Sequence, residues 1–594
     1  MSDAARSPLL TVDSDGLVIT SNRNVLKGLQ ILRFPSAGLR IMDGVSGNVI
    51  GGRNATPGGA CSGDCNVISG NGGDGFTLSG SGTTSNVVSG NYIGIDASGT
   101  AAAANGIDGV WIGDGARDNL IGGDAPGERN VISGNANNGV VLDDVLSNTV
   151  RGNYIGTDAS GTKAVPNGAS GVVVAWGAQN NVIGGGTAGE GNVISGNAED
   201  GVVIANASAG NTIQGNIIGT DATGTVAIPN GDAGVNLAEG AHDNLIGGDT
   251  GTARNLISGN GGNGILLGGD GVVRNVVWGN TVGADLTGTV ALGNAASGIA
   301  IADGASDNTI GPGNAVAYNG QGGIRVQGPN TLQNTLTRNS VYGNGDEGIS
   351  LEDGANAGLE PPVITFLTRR QVKGTAEPAS VVEVFFDEGD QGGQFVASTR
   401  ADAAGAFSFA AQQGTLDGPR VTCTATDRQG NTSRLSAAQA IPEPAPFRAP
   451  PYLVGPTQIS LEPEVLGTNA GLALLCAVFF GLTSTVFNSV LEEYVVEIES
   501  SWGRLVPRGL RSLRRRVQAA VKGLCRQRVG LLAAWSILML VTALIESFLD
   551  PDVGLFSPAR ASLTLTLFVA GLPVGGLEVA SDLFARRRLN PGAE

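Results

Sequence analysis

The eleven residues GNYIGTDASGT at 152–162 return three more times, as GNYIGIDASGT at 90–100, GNIIGTDATGT at 215–225 and GNTVGADLTGT at 279–289. The spacings are 62, 63 and 64 residues. A catalytic motif is needed once; a phrase repeated at near-constant spacing describes a structural unit. Other phrases keep step with it. NVISGN begins at Asn66, Asn130 and Asn192, and NLISGN at Asn255. N-x-I-G recurs at Asn48, Asn119, Asn181, Asn244 and Asn308. Between them lie short runs such as GVWI (109–112), GVVL (139–142), GVVV (171–174) and GIAI (298–301). Short Val- and Ile-rich runs closed by Gly, Asn or Asp read as strands between tight turns.

A unit of about 63 residues is too long for one coil of a solenoid and is expected to divide into about three coils of roughly 20 residues. Inward Val, Ile and Leu would stack into one continuous core. The repeated Asn would stack at the turns, where its amide can bond the neighbouring coil and its backbone tolerates the left-handed region.

NVISGN, GNYIGTDASGT and the GV-x-[IVL] runs resemble the right-handed parallel β-helix repeat proteins of bacterial surfaces, over roughly residues 16–355. The resemblance implies a mainly β chain with a parallel β-helix over 1–358. Residues 359–440 break the pattern. GTAEPASVVEVFFD (374–387), ADAAGAFSF (401–409) and ATDRQGNTS (425–433) alternate as the strands of a small β-sandwich do, and resemble bacterial Ig-like modules. Residues 441–465 open with a proline-rich run that reads as a semi-rigid spacer.

The apolar content then clusters. Residues 466–491, 529–549 and 562–584 are each long enough to cross a bilayer, the third carrying Pro573 and Glu578. The segment 492–528 holds nine basic residues against four acidic ones, and Arg586, Arg587 and Arg588 follow the third span in the tail 585–594. The positive-inside rule places these two basic segments in the cytoplasm and the β-helix and Ig-like module outside, as in a multi-pass bacterial membrane protein. An exported domain needs a signal, and MSDAARSPLLTVDSDG has neither a basic nor an apolar region. The repeat begins abruptly at residue 16, so the expectation is a solenoid lacking its N-terminal cap.

Cys61 and Cys65 share one loop, GGACSGDCNVISGN, and outside the cell they would form a disulfide. They make a poor zinc site, with no second pair or histidine nearby. Cys423 is expected in the sandwich core. The single histidine, His242, occupies a column that elsewhere holds Arg117, Gln179 and Ser306, which reads as an exposed turn. Mechanisms that need a catalytic histidine are therefore disfavoured.

Asp96, Asp158, Asp221 and Asp285 form the most uniform acidic column. The plain reading is a turn with the carboxylate bonded to nearby amides; the alternative is calcium, a hard cation that takes oxygen ligands. Three coils apart, these carboxylates would stand roughly 14 Å from one another, too far to share an ion. Asp74, Asn138, Asp200, Asn263 and Glu347 form a second column whose Asp–Asn exchange suggests a turn role. Asp346, Glu347, Glu352 and Asp353 crowd the last coil and read as a charged solenoid end.

No catalytic residue emerges, and no cofactor beyond the calcium alternative. A formal net charge of −18 argues against nucleic acid, whose phosphates need Lys and Arg. The expectation is a membrane-anchored outward solenoid that binds a polysaccharide or cell-surface glycan. The alternatives are a polysaccharide lyase, hydrolase or epimerase, or the sensor domain of a membrane transport or signalling protein.

Overall fold

The computed structural model describes residues 10–11, 14–42, 44–411, 416 and 418–443. The expected spans 466–491, 529–549 and 562–584, the basic segment 492–528, the tail 585–594 and nearly all of the spacer lie outside the described residues. Among the described residues no helix is long and apolar enough to cross a membrane.

Each coil of the solenoid passes through three parallel sheets. One turn runs through Val110–Gly113 in the first sheet, Leu120–Gly122 in the second and Val131–Ile132 in the third, then re-enters the first at Val140–Asp143. Val110 pairs in register with Val140, so each coil lies directly on the last. The three sheets hold 13, 11 and 11 strands. Most are only two to four residues long, and alternate side chains point inward. Val110 and Ile112 are fully buried in the core, and Trp111 between them faces out.

The coil count departs from the sequence expectation. First-sheet strands begin at residues 76, 110, 140, 172 and 202, so two coils of about 30 residues make one 63-residue unit, not three of 20. The repeated Asn phrases mark corners within a coil, and every coil has several. The period doubles because insertions alternate. One coil is lengthened after its third-sheet strand (94–109, 156–171, 219–234, 283–298). The next is lengthened between its second and third sheets (123–130, 185–192, 248–255). The last two coils, from Ile299–Ala302 to Ile349–Glu352, carry neither insertion and shrink to 25 residues each.

Buried asparagines fill the corners in three continuous ladders. One climbs through Asn24, Asn48, Asn86, Asn119, Asn148, Asn181 and onward to Asn356. Asn148 shows the logic. Its Oδ1 accepts the backbone N–H and the Nδ2 of Asn119, both at 3.0 Å, and its Nδ2 donates to Ala116 O at 3.0 Å and to Asn181 Oδ1. An amide carries both donors and acceptors, so it satisfies a buried corner in both directions along the axis, which a hydroxyl or carboxylate cannot do alone.

The two ends differ. At the N-terminal end, Leu10–Thr11 pairs antiparallel with Leu17–Ile19 and so covers the edge of the first sheet. At the other end the Ig-like module closes the solenoid. It is a sandwich of two antiparallel sheets. One is formed by Val363–Thr368, Gln371–Thr375 and Ala406–Ala410; the other by Gln394–Arg400, Val381–Asp387, Arg420–Thr426 and Gln439–Ala440. Cys423 is buried in its core, and burial pushes its thiol up to about 12. The side chain of Gln391 takes the place of the next asparagine. Its Oε1 accepts Asn344 N at 2.8 Å and its Nε2 donates to Asn344 O at 2.9 Å. Asn431 Oδ1 accepts Gln333 N, and Thr432 Oγ1 accepts Leu336 N. The buried carboxylate of Glu383 accepts the hydroxyl of Thr337 and the N–H of Arg338. The module is therefore a cap that continues the corner chemistry of the coils.

Candidate functional site

The repeated GTDASGT phrase builds a second, smaller stack on the outer side of the third sheet. In each loop the aspartate folds back on its own backbone. Asp158 Oδ1 accepts Thr162 N at 2.9 Å and Lys163 N at 3.2 Å, and Ser160 donates its hydroxyl to the same carboxylate. Asp96, Asp221 and Asp285 repeat the pattern. At Asp221, burial raises the carboxyl but the Thr223 hydroxyl and three backbone N–H groups lower it further, so the net shift is downward. Each loop also hands on to the next: Ala159 N donates to Gly99 O, and Ala222 N to Gly161 O. Successive aspartates thus lie two coils apart, about 10 Å, which corrects the three-coil spacing. Gly99, at φ +73°, has no room for a side chain, because a Cβ there would press on Ala159 and the Tyr92 ring.

This loop stack covers the apolar outer side chains of the third sheet, among them Val67, Tyr92 and Val131. Cys61 and Cys65 are joined in a disulfide at its N-terminal end, where the Tyr92 hydroxyl bonds Gly59 O. At its other end Tyr342 donates to Gly288 O at 2.7 Å and stands edge-to-face with Tyr318. The column is internally satisfied and leaves no open chemistry at the aspartates.

The remaining sequence candidates separate in the same way. His242 sits in a corner turn with Nδ1 3.1 Å from Gly240 O. Bridges align it with Arg117, Gln179 and Ser306 through one intervening residue in each gap. Asp74, Asn138, Asp200 and Asn263 each accept a backbone N–H of the next coil, and Asp108 joins their column. Burial holds Asp74, Asp108 and Asp200 above the usual carboxylate range. In the last coil Glu352 forms a two-pronged ion pair with Arg325 (2.7 and 3.0 Å) instead of pairing with another carboxylate. Asp353 accepts from Gln327. Among the described residues no group of three His, Cys, Asp or Glu side chains is placed to hold a metal ion.

What departs from the repeat is on the first sheet. Its outer row reads, coil by coil, Arg40, Thr77, Trp111, Val141, Val173, Val203, Asn236, Leu266, Ala300 and Arg325. Trp111 is the aromatic residue in this row. Gly113, two residues along the same strand and facing the same way, has no side chain, and a Cβ there would collide with the Trp111 ring. The indole therefore lies along its own strand, and its N–H bonds the Asp143 carboxylate on the next coil.

The corner that follows holds a second departure. Asp114, Asp144, Asn206, Glu239 and Asp303 turn there with φ between 49° and 55°. Most are Asp or Asn, residues that tolerate the left-handed region. Trp176 stands in the same column at φ 54°, and its side chain is 54% exposed. A bulky residue at positive φ on the surface costs stability without filling a core. Two coils and three residues separate it from Trp111, on the order of 14 Å between Cα atoms. Between the two indoles lie Val141, Val173 and the carboxylates of Asp143 and Asp144.

Sequence reading took GVWI and GVVV as strands without separating these residues. The signal was present: a tryptophan in a column of Val and Thr, and another in a column of Asp and Asn.

A family model described as a bacterial Ig domain matches residues 366–441. No curated protein matches the chain. Three solved structures share distant similarity. The periplasmic alginate epimerase AlgG is 13% identical, with a TM-score of 0.28, covering 59% of this chain and 80% of its own. Tailspike protein 2 from the Escherichia coli O157:H7 bacteriophage CAB120 is 13% identical, with a TM-score of 0.29, covering 72% and 62%. The A-module of the Azotobacter vinelandii mannuronan C-5 epimerase AlgE4 is 14% identical, with a TM-score of 0.21, covering 53% and 85%. At these scores they add nothing to what the strand pairing shows by itself. By that pairing and by the family match, the chain is a parallel β-helix solenoid followed by a bacterial Ig domain.

Proposed function

We propose that this protein is a membrane-anchored, outward-facing module that binds glycan chains on the first sheet of its solenoid. The observation that carries the reading is the pair Trp111 and Trp176. One indole lies along its strand over a glycine, and the other is held exposed in a backbone conformation that penalises it. The C–H faces of a sugar ring carry partial positive charge and pack on the negative face of an indole. The intervening carboxylates accept hydrogen bonds from hydroxyls, and the distance between the rings suits a chain of a few sugar units. Apolar segments 466–491, 529–549 and 562–584 would hold the module at the membrane, with the Ig domain and the spacer between it and the bilayer.

The test uses the full chain in detergent or nanodiscs against immobilised neutral polysaccharides. Trp111→Ala and Trp176→Ala should each weaken retention about five-fold, the equivalent of roughly 1 kcal/mol per ring. Trp176→Asn should do the same while leaving the unfolding midpoint unchanged or slightly higher, since Asn relieves the positive-φ penalty. Retention indifferent to both tryptophans would end this reading.

A further inference from the structure

The charge around the two tryptophans is one-sided. Asp143 faces out from the sheet beside Trp111, and Asp114 and Asp144 are exposed on the adjoining corner. Farther along that corner stand Glu239, Asp270 and Asp303, all exposed. No Lys or Arg interrupts the outer row of the first sheet between Arg40 and Arg325. Both of those are occupied: Arg40 Nη1 lies 3.1 Å from Asp15 and Arg325 Nη2 2.7 Å from Glu352. A polymer laid across Trp111 and Trp176 therefore meets three carboxylates within the span of the rings and no free cation on the sheet beneath it.

We infer that Asp114, Asp143 and Asp144 set the specificity of this face, so that it takes sugar polymers without carboxylate or sulfate groups and rejects uronate chains. The inference rests on the glycan-binding reading above and adds its charge class. A uronate residue stacked on either indole would place its carboxylate near these aspartates without a lysine or arginine to pair with. Like charges brought together at an interface cost affinity, and a uronate repeats the cost at every sugar. A neutral chain offers only hydroxyl donors, which ionised carboxylates accept well. Repulsion between exposed charges acts over about 8 Å at physiological salt, enough to reach across the strip between the two rings.

The full-length protein would be titrated with two polymers of matched length, a neutral β-glucan and polygalacturonate. The neutral polymer should bind about ten-fold more tightly or better. The difference should shrink at about 1 M salt, where the screening length falls to roughly 3 Å. The triple variant Asp114→Asn, Asp143→Asn, Asp144→Asn should narrow the ratio several-fold, chiefly by admitting polygalacturonate. Asn suits the left-handed backbone of Asp114 and Asp144, as Asn206 shows in the same column, so the variant should fold. Equal binding of the two polymers, or a ratio unmoved by the triple variant and by salt, overturns the inference while leaving the tryptophan site standing. Failure of both polymers to bind overturns the glycan reading itself, and this inference with it.

Discussion

The corners inside the solenoid and the outer row of its first sheet are made by the same coils, yet they vary in opposite ways. The ladder from Asn24 to Asn356 repeats one residue type coil after coil, because each amide must match the amide above and below. The outer row passes from Arg40 through Thr77, Trp111, Val141 and Asn236 to Arg325, with no two-way partner to match. Uniformity marks the positions that hold the stack together. Function is to be sought where a residue is both unlike its column and unneeded by the fold, and Trp176 meets both conditions.

The largest effect should come from breaking a ladder. Asn148→Ala leaves the N–H and Nδ2 of Asn119 without their acceptor and Ala116 O without one donor, all in a dry corner. The expected loss is about 2–3 kcal/mol. Val173→Thr, on the outer row, should cost under about 1 kcal/mol. Denaturant midpoints measured side by side would decide it. If the two substitutions cost the same, the contrast between inside and outside fails.

A smaller effect is expected where the ladder passes to the Ig domain. Gln391→Ala removes the amide that receives and donates at Asn344, and should cost about 1–2 kcal/mol. Because solenoid stability is largely a sum of neighbouring contacts, the loss should stay local. Amide exchange should quicken over 340–352 and remain slow over 140–204. Unchanged protection at 340–352 would mean that the Ig domain rests on the solenoid without supporting it.

These contrasts also explain what could be read from the sequence. The solenoid, its apolar inward positions and the stacked asparagines were legible, because each reports a local and repeated constraint. The number of coils was not. NVISGN and GNYIGTDASGT look like successive coil starts, but the distinction between a corner and a coil depends on which strands pair, and alternating insertions hide the 25-residue coil seen only between 299 and 349. Capping by Gln391, Asn431 and Glu383 was equally hidden, since it joins residues 45 to 98 positions apart. Of the candidate site, the two tryptophans stood in plain view, but their placement required the register that sets Trp111 beside Val141 and turns Trp176 outward.

The smallest effect tests a position between the two regimes. Asp108 sits in a corner column shared with asparagines, and its Oδ1 accepts Asn138 N at 2.9 Å. Burial is the main force holding its carboxyl above the ordinary value of 3.8, against hydrogen bonds from Asn138 and Asn137 that lower it. Between that ordinary value and the raised one, the folded chain keeps a proton that the unfolded chain has released. The contribution to stability is therefore complete below the ordinary value and is lost as pH rises through the raised one. Asp108→Asn keeps the acceptor and removes the titration. It also removes the charge that helps raise Asp74 on the neighbouring coil. Relative to the parent chain, the variant should gain a few tenths of a kcal/mol between pH 4 and pH 7. A difference between the two chains that stays flat over that range would show that the Asp108 carboxylate is as well satisfied in its corner as the asparagines above it.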